Sequence, residues 1–352
     1  MSTGISLSAL MAAAATGNGT TPAFKPSYKT CHEISKLCPI EMTTLGYTPN
    51  FGVNIFVALG FAVAAVASIY FGIAKRTWGF SSAVAFGCIL ECAGYAGRAQ
   101  LAKNPWNSTA FQTQIVAIIL GPTIICIGLY LTLKHVARAL NPALSLFPAR
   151  LYPLFFVPAD VSCLVIQAIG GGIAASAGSA DFTLLQHGNR VIIAGIVLQV
   201  VVLAAFGVIA GLFLFRSRGF FRGAAGQEMM PAFGVWKDGR FRLFLGALGG
   251  AYVLFLIRCV YRIAEMAGGW GNHIMRDEPS FIVLESFMVL IGSGLLAAFP
   301  PGVFFPLMSR SPAIKESANA RYGHGGVESV GSGKVDASDS AGTEMAERAV
   351  SA

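Results

Sequence analysis

Seven stretches of the sequence are long and apolar enough to cross a lipid bilayer, and they constrain the fold more than any other feature. A membrane-spanning helix needs about 20 predominantly apolar residues. The stretches cover residues 51–73, 78–100, 111–133, 152–176, 190–215, 242–266 and 281–306. Only 12% of the 352 residues are charged, against about 25% in a typical soluble domain. The sequence therefore predicts an all-α membrane protein, a bundle of seven transmembrane helices.

The distribution of basic residues predicts the orientation of this bundle. The first, third and fifth connections carry ten lysines and arginines: Lys75, Arg76, Lys134, Arg138, Arg150, Arg216, Arg218, Arg222, Lys237 and Arg240. The other three connections carry only Lys103, Arg190 and Arg276. Because basic residues concentrate on the cytoplasmic side of membrane proteins, the N-terminus is predicted to lie outside and the C-terminus in the cytoplasm.

Three segments follow from this topology: an exoplasmic tail over 1–50, the transmembrane domain over 51–308 and a cytoplasmic tail over 309–352. The last segment is rich in Ser, Gly and Ala with interspersed charges. Such a composition cannot bury enough apolar surface to order a chain. The tail over 309–352 is therefore predicted to be disordered.

Two features of the predicted outer side concern covalent modification. Asn18 and Asn107 each begin an Asn-x-Ser/Thr motif, the acceptor pattern for N-glycosylation. The connection that carries Asn107 is very short, which favours an unmodified polar loop residue there. Cys31 and Cys38 lie together in the tail, where the compartment permits a disulfide, and the sequence leaves their pairing open.

Charged residues inside the apolar stretches are the main candidates for a functional site, because one such charge at the bilayer centre costs roughly 2.5–3.5 kcal/mol. Residues three, four or seven apart share one face of a helix. The second stretch presents Glu91, Tyr95 and Arg98 on one face, and the sixth presents Arg258, Tyr261, Arg262 and Glu265. Both faces are therefore candidates for substrate binding or translocation.

The charges on these two faces follow opposite orders along helices that are predicted to be parallel. If the faces meet, Glu91 pairs with Arg258. Arg98 then pairs with Glu265, which leaves Arg262 unpaired. The sequence thus predicts a ladder of two ion pairs between the second and sixth helices.

Further polar residues are predicted to join the same interior: Asp160 and Gln167 in the fourth helix, Gln199 in the fifth and Glu285 in the seventh. One interpretation is that all of them hold helices together by hydrogen bonds. The alternative, which the number of charges favours, is a polar cavity in the outer half of the bundle. Arg262, Glu285 and Asp160 are then the first candidates for contact with a substrate.

The residue inventory argues against several other classes of protein. No lysine in the seventh stretch is available for a retinal Schiff base, and the five histidines fall in tails, loops or helix ends. Motifs for phosphate-binding loops and serine nucleophiles are absent. The sequence therefore predicts no enzyme, no catalytic residue, no metal site and no cofactor. The net charge of +8 does not indicate a nucleic-acid partner, since the basic residues flank apolar stretches.

A set of spaced motifs resembles those of a known family. They are Tyr47-Thr48-Pro49-Asn50, Glu91-x-x-Gly94-Tyr95-x-x-Arg98, Asp160 with Gln167 and Gly170-Gly171, Gln199, Arg258-x-x-Tyr261-Arg262-x-x-Glu265 with Gly268, and Glu278 with Glu285 and Met288. With them, residues 47–308 resemble the fungal lipid-translocating exporter family, seven-helix proteins related to 7-aminocholesterol-resistance and sphingoid long-chain-base resistance proteins. The chain departs from the pattern at Glu285, where an aspartate is usual, and around Phe299-Pro300-Pro301-Gly302.

The resemblance implies movement of amphipathic lipids or lipid-like toxicants across, or out of, a plasma membrane or related endomembrane. Sphingoid bases, phospholipids and sterol-like amines are the implied substrates, and the implied outcome is resistance, with a link to secondary-metabolite export. The partners are then membrane lipids or amphipathic small molecules. A receptor or membrane stress sensor without transport activity is one alternative, and a regulator of another transporter that moves nothing itself is a third.

Overall fold

A computed structural model describes residues 28, 30, 31, 33–146, 148–177, 182–223, 231–268 and 272–323. Within them lie seven helices long and apolar enough to span a membrane, so the predicted fold class is confirmed. They are α1 (Phe51–Lys75), α2 (Trp78–Lys103), α3 (Ser108–Leu140), α4 (Leu151–Ala177), α5 (Phe182–Arg222), α6 (Gly239–Ala267) and α7 (Glu278–Phe304). Asn18 lies outside the described residues.

Polar side chains at the helix starts fix several boundaries. The Asn50 side chain accepts the Val53 N–H at 3.2 Å before α1, and Asn107 accepts the Ala110 N–H at 3.1 Å before α3. Such caps satisfy backbone donors that have no partner within the helix. The side-chain oxygen of Asn107 therefore has a structural role at the α2–α3 connection.

The helices pack mainly with their neighbours in the chain. α2 lies against α1 and α3, α4 pairs with α5, and α6 pairs with α7, which also contacts α1 and α2. The α4–α5 hairpin is tight because glycines remove side chains from its interface: a Cβ on Gly188 would lie 2.6 Å from the Ala174 nitrogen, and one on Gly170 would lie 2.7 Å from the Ile192 nitrogen. Small residues allow this close approach in membranes.

The α4–α5 hairpin is the least enclosed part of the bundle. Only 28% of the residues in the most apolar part of each of these helices are buried in the protein, against 61% for α3. The hairpin meets the other helices along α3 on one side and α6 on the other. We call this interface of α4 and α5 with α3 and α6 the seam.

The seventh helix is irregular where it carries its charge. It begins as an α-helix over Glu278–Phe281, passes through a π-helical turn over Ile282–Phe287 and continues as an α-helix over Met288–Ala298. Glu285 lies in the π-helical turn. Turns of this kind occur frequently at functional sites.

The first part of the C-terminal segment is folded, although the sequence predicts that the segment is disordered. A helix spans Pro312–Gly323, and the Ser309 hydroxyl before it donates to the Lys75 carbonyl at 2.6 Å. The helix packs against a short helix at Pro231–Lys237, with Ala318 buried. The prediction is thus wrong for residues 312–323, because composition does not reveal these tertiary contacts. Residues 324–352 lie outside the described part of the chain.

The N-terminal segment covers the connection between α2 and α3. A disulfide joins Cys31 to Cys38, and the Trp106 indole N–H donates to the Cys38 carbonyl at 3.1 Å. The Tyr28 ring stacks on Phe111 with centroids 4.9 Å apart. This segment is therefore attached to the end of the bundle that we call the N-terminal end.

Candidate functional site

A buried ion pair between Arg258 and Glu285 joins α6 to α7. The Nε and Nη2 atoms of Arg258 both donate to Oε1 of Glu285, at 2.9 and 2.7 Å. Nη2 also donates to the Ile118 carbonyl of α3 at 2.8 Å. Since both side chains are at most 4% exposed, the pair fixes three helices together in the membrane interior.

A second ion pair lies within α6. Arg262 Nη1 donates to Oε2 of Glu265 at 2.5 Å. The two residues are three apart, so they already share one helix face. The prediction that Arg262 stays unpaired is therefore wrong. Glu285, a predicted candidate for contact with a substrate, is also paired, with Arg258.

Glu91 does not form the predicted ion pair with Arg258. Its side chain is fully buried, and within the described residues neither carboxylate oxygen has a hydrogen-bond partner. It lies against α3, where a Cβ on Gly121 would approach Oε1 to 2.5 Å. Glu285 on the adjacent α7 binds Arg258 through two donors instead. Glu91 thus remains a buried acid beside an already neutralised arginine.

Arg98 does not meet Glu265, so the second predicted ion pair is also wrong. Its Nη2 donates to the Tyr47 hydroxyl at 2.5 Å, its Nη1 to Gln114 at 3.4 Å, and its Cζ lies 3.9 Å from the centre of the Phe281 ring. The physical reason is the helix order, since α2 packs mainly on α1 and α3 rather than on α6. Polar and aromatic groups therefore hold this cation.

The two tyrosines of the predicted stripes are buried. Tyr95 stacks on Phe61 with centroids 5.7 Å apart. The Tyr261 hydroxyl has no hydrogen-bond partner among the residues that the structure describes. Near Arg98, Glu278 accepts the Asn50 N–H at 2.6 Å and so ties the start of α7 to the start of α1.

A chain of neutral hydrogen bonds crosses the seam. Gln167 of α4 donates from Nε2 to Oε1 of Gln199 in α5 at 3.0 Å. Gln199 in turn donates from Nε2 to the Thr123 hydroxyl of α3 at 2.9 Å. The sequence analysis named both glutamines but missed Thr123, because it is one of several hydroxyl-bearing residues in α3 and nothing in the sequence distinguishes it from the others.

Asp160 also lies in the seam, farther from the N-terminal end of the bundle than Gln167. The Tyr130 hydroxyl of α3 donates to its Oδ2 at 2.7 Å. The residue is 3% exposed, and its Oδ1 has no hydrogen-bond partner in the described part of the chain. Tyr130 was not among the predicted site residues, because a tyrosine alone in a span does not differ from a packing residue.

Two small cavities follow the seam, each about 10 Å³ in volume, which is close to the least that holds one water molecule. The first is lined by Gln167, Arg258 and Arg262, and the second by Asp160 and Tyr130. Gln199 and Cys259 line both. The sequence predicts a polar cavity in the outer half of the bundle, and four of the residues named for it, Gln167, Gln199, Arg258 and Arg262, line the first cavity, which is too small for a head group. The structure instead has a closed polar track along the seam.

Residues 84–308 match the model of a family described as RTA1 like protein. The chain belongs to this family. The resemblance predicted from the spaced motifs is thereby confirmed, and those motifs lie largely within the matched range.

Three relatives from Saccharomyces cerevisiae illustrate the range of the family. The sphingoid long-chain base transporter RSB1 is 28% identical over 76% of this chain and 75% of its own length. Protein RTA1 is 25% identical over 77% and 89%, and protoporphyrin uptake protein 1 is 30% identical over 62% and 67%. No solved structure matches the chain. Two of the three names refer to transport or uptake, of a sphingoid long-chain base and of protoporphyrin.

Proposed function

We propose that this chain moves amphipathic lipids or lipid-like molecules across a membrane, without catalysing a chemical reaction. The names of two relatives, a long-chain base transporter and a porphyrin uptake protein, support this proposal. So does the seven-helix architecture, which makes the chain an integral multi-pass membrane protein. We place it in the plasma membrane or a related endomembrane, with the N-terminus outside.

The observation that carries the proposal is the polar track along the seam. Ionisable residues inside membrane proteins usually mark the path of an ion or substrate. Arg262, Gln199 and Asp160 lie along one interface that borders the least enclosed helices. A polar head group that follows this interface keeps its acyl chain in the surrounding lipid.

The track is closed in this structure, so transport requires the seam to open. Cavities of about 10 Å³ are far smaller than a lipid head group. Two side-chain hydrogen bonds connect the hairpin to α3, from Gln199 to Thr123 and from Tyr130 to Asp160. Hydrogen bonds between membrane helices contribute about 0.6 kcal/mol each on average. Movement of the hairpin away from α3 and α6 breaks these two hydrogen bonds and the one from the Tyr252 hydroxyl of α6 to the Leu203 carbonyl at 3.1 Å, and it is the opening that we propose.

The remaining predicted residues take supporting roles in this proposal. Arg258 and Arg262 line the first cavity, where their ion pairs with Glu285 and Glu265 hold the helices in place. Glu91, Tyr95, Arg98, Tyr261, Glu265 and Glu285 form the surrounding interior. Resistance to sphingoid bases, phospholipid analogues or sterol-like amines is the expected cellular consequence, with Asn18 as the glycosylation site.

A membrane stress sensor is the second candidate, and the closed track favours it. In that case a ligand binds and shifts the balance between two conformations, but no lipid crosses the membrane. The two candidates differ in one measurable quantity, the rate of transbilayer lipid movement.

Reconstitution tests the proposal. Purified protein in vesicles should accelerate the transbilayer movement of a fluorescent long-chain base or phospholipid over protein-free vesicles. Gln167→Leu should slow this movement, because it removes a polar side chain from the seam. Ser162→Leu should not slow it, because Ser162 lies on the same helix but is exposed at the surface of the bundle. Equal rates with and without protein would overturn the transport proposal.

A further inference from the structure

The Asp160 cavity combines an incompletely satisfied anion with apolar walls. Asp160 is its one charged residue among those described, and only one of the two carboxylate oxygens has a hydrogen-bond partner. Neither of the two ion pairs in the described residues involves Asp160. A carboxylate buried without a cation is costly in a protein interior. A positive charge from outside the chain would offset this cost.

The other carboxylates of the interior are less suited to bind a cation from outside the chain. Glu265 and Glu285 already bind Arg262 and Arg258. Glu91 has unpartnered oxygens, but it lines neither seam cavity and lies against the backbone of α3 at Gly121. Asp160 alone among these four acids both lines a cavity and lacks an internal cation.

The walls of the cavity indicate what kind of cation fits. Leu203 of α5, Phe255 of α6 and Pro122 of α3 present apolar surface, and the Tyr130 ring lies beside the carboxylate. An aromatic face attracts an ammonium group. An inorganic cation would need several oxygen ligands, whereas an alkylammonium brings its own apolar chain to these walls.

We infer that Asp160 and its cavity form a binding site for the protonated amine of an amphiphile. This inference rests on the proposed transport function and specifies the part of the seam that selects the head group. The ammonium occupies the free Oδ1 side of Asp160, Tyr130 keeps its hydrogen bond to Oδ2, and the first carbons of the chain contact Leu203 and Phe255.

The test compares two fluorescent probes with the same alkyl chain, a long-chain primary amine and its uncharged N-acetyl derivative, in vesicles that contain the full-length protein. The wild type should move the amine faster by at least about tenfold, a ratio that corresponds to about 1.4 kcal/mol. Asp160→Asn should lower this ratio to about one. Glu278→Gln removes a carboxylate outside both cavities and should keep the wild-type ratio. An unchanged ratio in Asp160→Asn would overturn the inference alone, whereas a wild type that moves neither probe would overturn the proposed function.

A second measurement on the wild type does not depend on the folding of any variant. Cys126 lines only the Asp160 cavity of the two, so its reaction with a small membrane-permeant thiol reagent reports occupancy. The amine should slow modification of Cys126 at least about fivefold, as read by mass spectrometry, and the N-acetyl derivative should not. Equal protection by both probes, no protection by either, or protection by sodium chloride alone would contradict the amine site.

Discussion

The ion pairs of α6 and α7 and the polar track of the seam are both buried, but they satisfy their polar groups in different ways. Arg258 and Arg262 each have a carboxylate within 2.7 Å, and Glu285 and Glu265 are thereby neutralised. The seam is held by hydrogen bonds of neutral donors, and Asp160 pairs with no cation among the residues that the structure describes. The comparison indicates that the first region maintains the bundle, whereas the second is able to change partners.

Removal of the charge of Glu285 should have the largest effect on stability. Glu285→Gln leaves the buried guanidinium of Arg258 without its counter-ion, and breaking a buried ion pair on one side typically costs about 3–5 kcal/mol. We expect a large fall in the thermal unfolding midpoint in detergent, with Glu278→Gln as a control that stays near the wild type.

The double variant Arg258→Met with Glu285→Leu sharpens this prediction. Replacement of a buried pair by apolar side chains of similar size is often neutral or stabilising. Recovery of most of the lost unfolding midpoint would support a structural role for the pair. A double variant as unstable as Glu285→Gln would show that the two side chains stabilise the bundle by more than neutralising each other's charge.

Tyr47→Phe should have the next largest effect. It removes the hydroxyl that accepts from Arg98 at 2.5 Å, and an unsatisfied buried donor costs about 1–3 kcal/mol. Protease digestion of the folded protein should become faster at the N-terminal end of the bundle. Tyr28→Phe is a useful comparison, because Tyr28 packs in the same end through its ring. Equal digestion rates for wild type and Tyr47→Phe would mean that Arg98 finds another acceptor.

Gln199→Leu should destabilise the protein less, by about 1 kcal/mol, because it removes two interhelical hydrogen bonds that average about 0.6 kcal/mol each. Hydrogen exchange of backbone amides in α4 and α5 should increase relative to α2. A uniform increase over all helices would contradict the separate character of the seam.

Asp160→Asn should cause no loss of stability, because the amide oxygen still accepts from Tyr130 and the substitution removes a buried carboxylate that has no counter-ion. The unfolding midpoint should remain near that of the wild type. A fall in the unfolding midpoint as large as that of Glu285→Gln would show that Asp160 has a structural role like that of the ion pairs.

The sequence predicts the fold of this protein better than it predicts the contacts of the candidate site. The seven spans were predictable because twenty apolar residues in a row have few alternatives to a membrane helix. The partners of Glu91 and Arg98 were not, since periodicity tells which residues share a face but not which helix lies opposite. The π-helical turn that holds Glu285 and the contacts of Thr123 and Tyr130 depend on tertiary packing in the same way.

The central claim, that the α4–α5 hairpin moves away from α3 to admit a head group, is tested most directly by a crosslink. In a background without the free cysteines Cys88, Cys92, Cys126, Cys163 and Cys259, Thr123→Cys with Gln199→Cys joins α3 to α5 through a short bifunctional thiol reagent. Gln167→Cys with Gln199→Cys joins α4 to α5 within the hairpin and serves as the control.

The native side chains at both positions are in hydrogen-bond contact, at 2.9 and 3.0 Å, so the two crosslinks are matched in length. Relative to the same double-cysteine variant before crosslinking, transbilayer movement of a fluorescent long-chain base in vesicles should stop after α3 is joined to α5 and continue after α4 is joined to α5. Undiminished movement with α3 and α5 crosslinked would contradict the account.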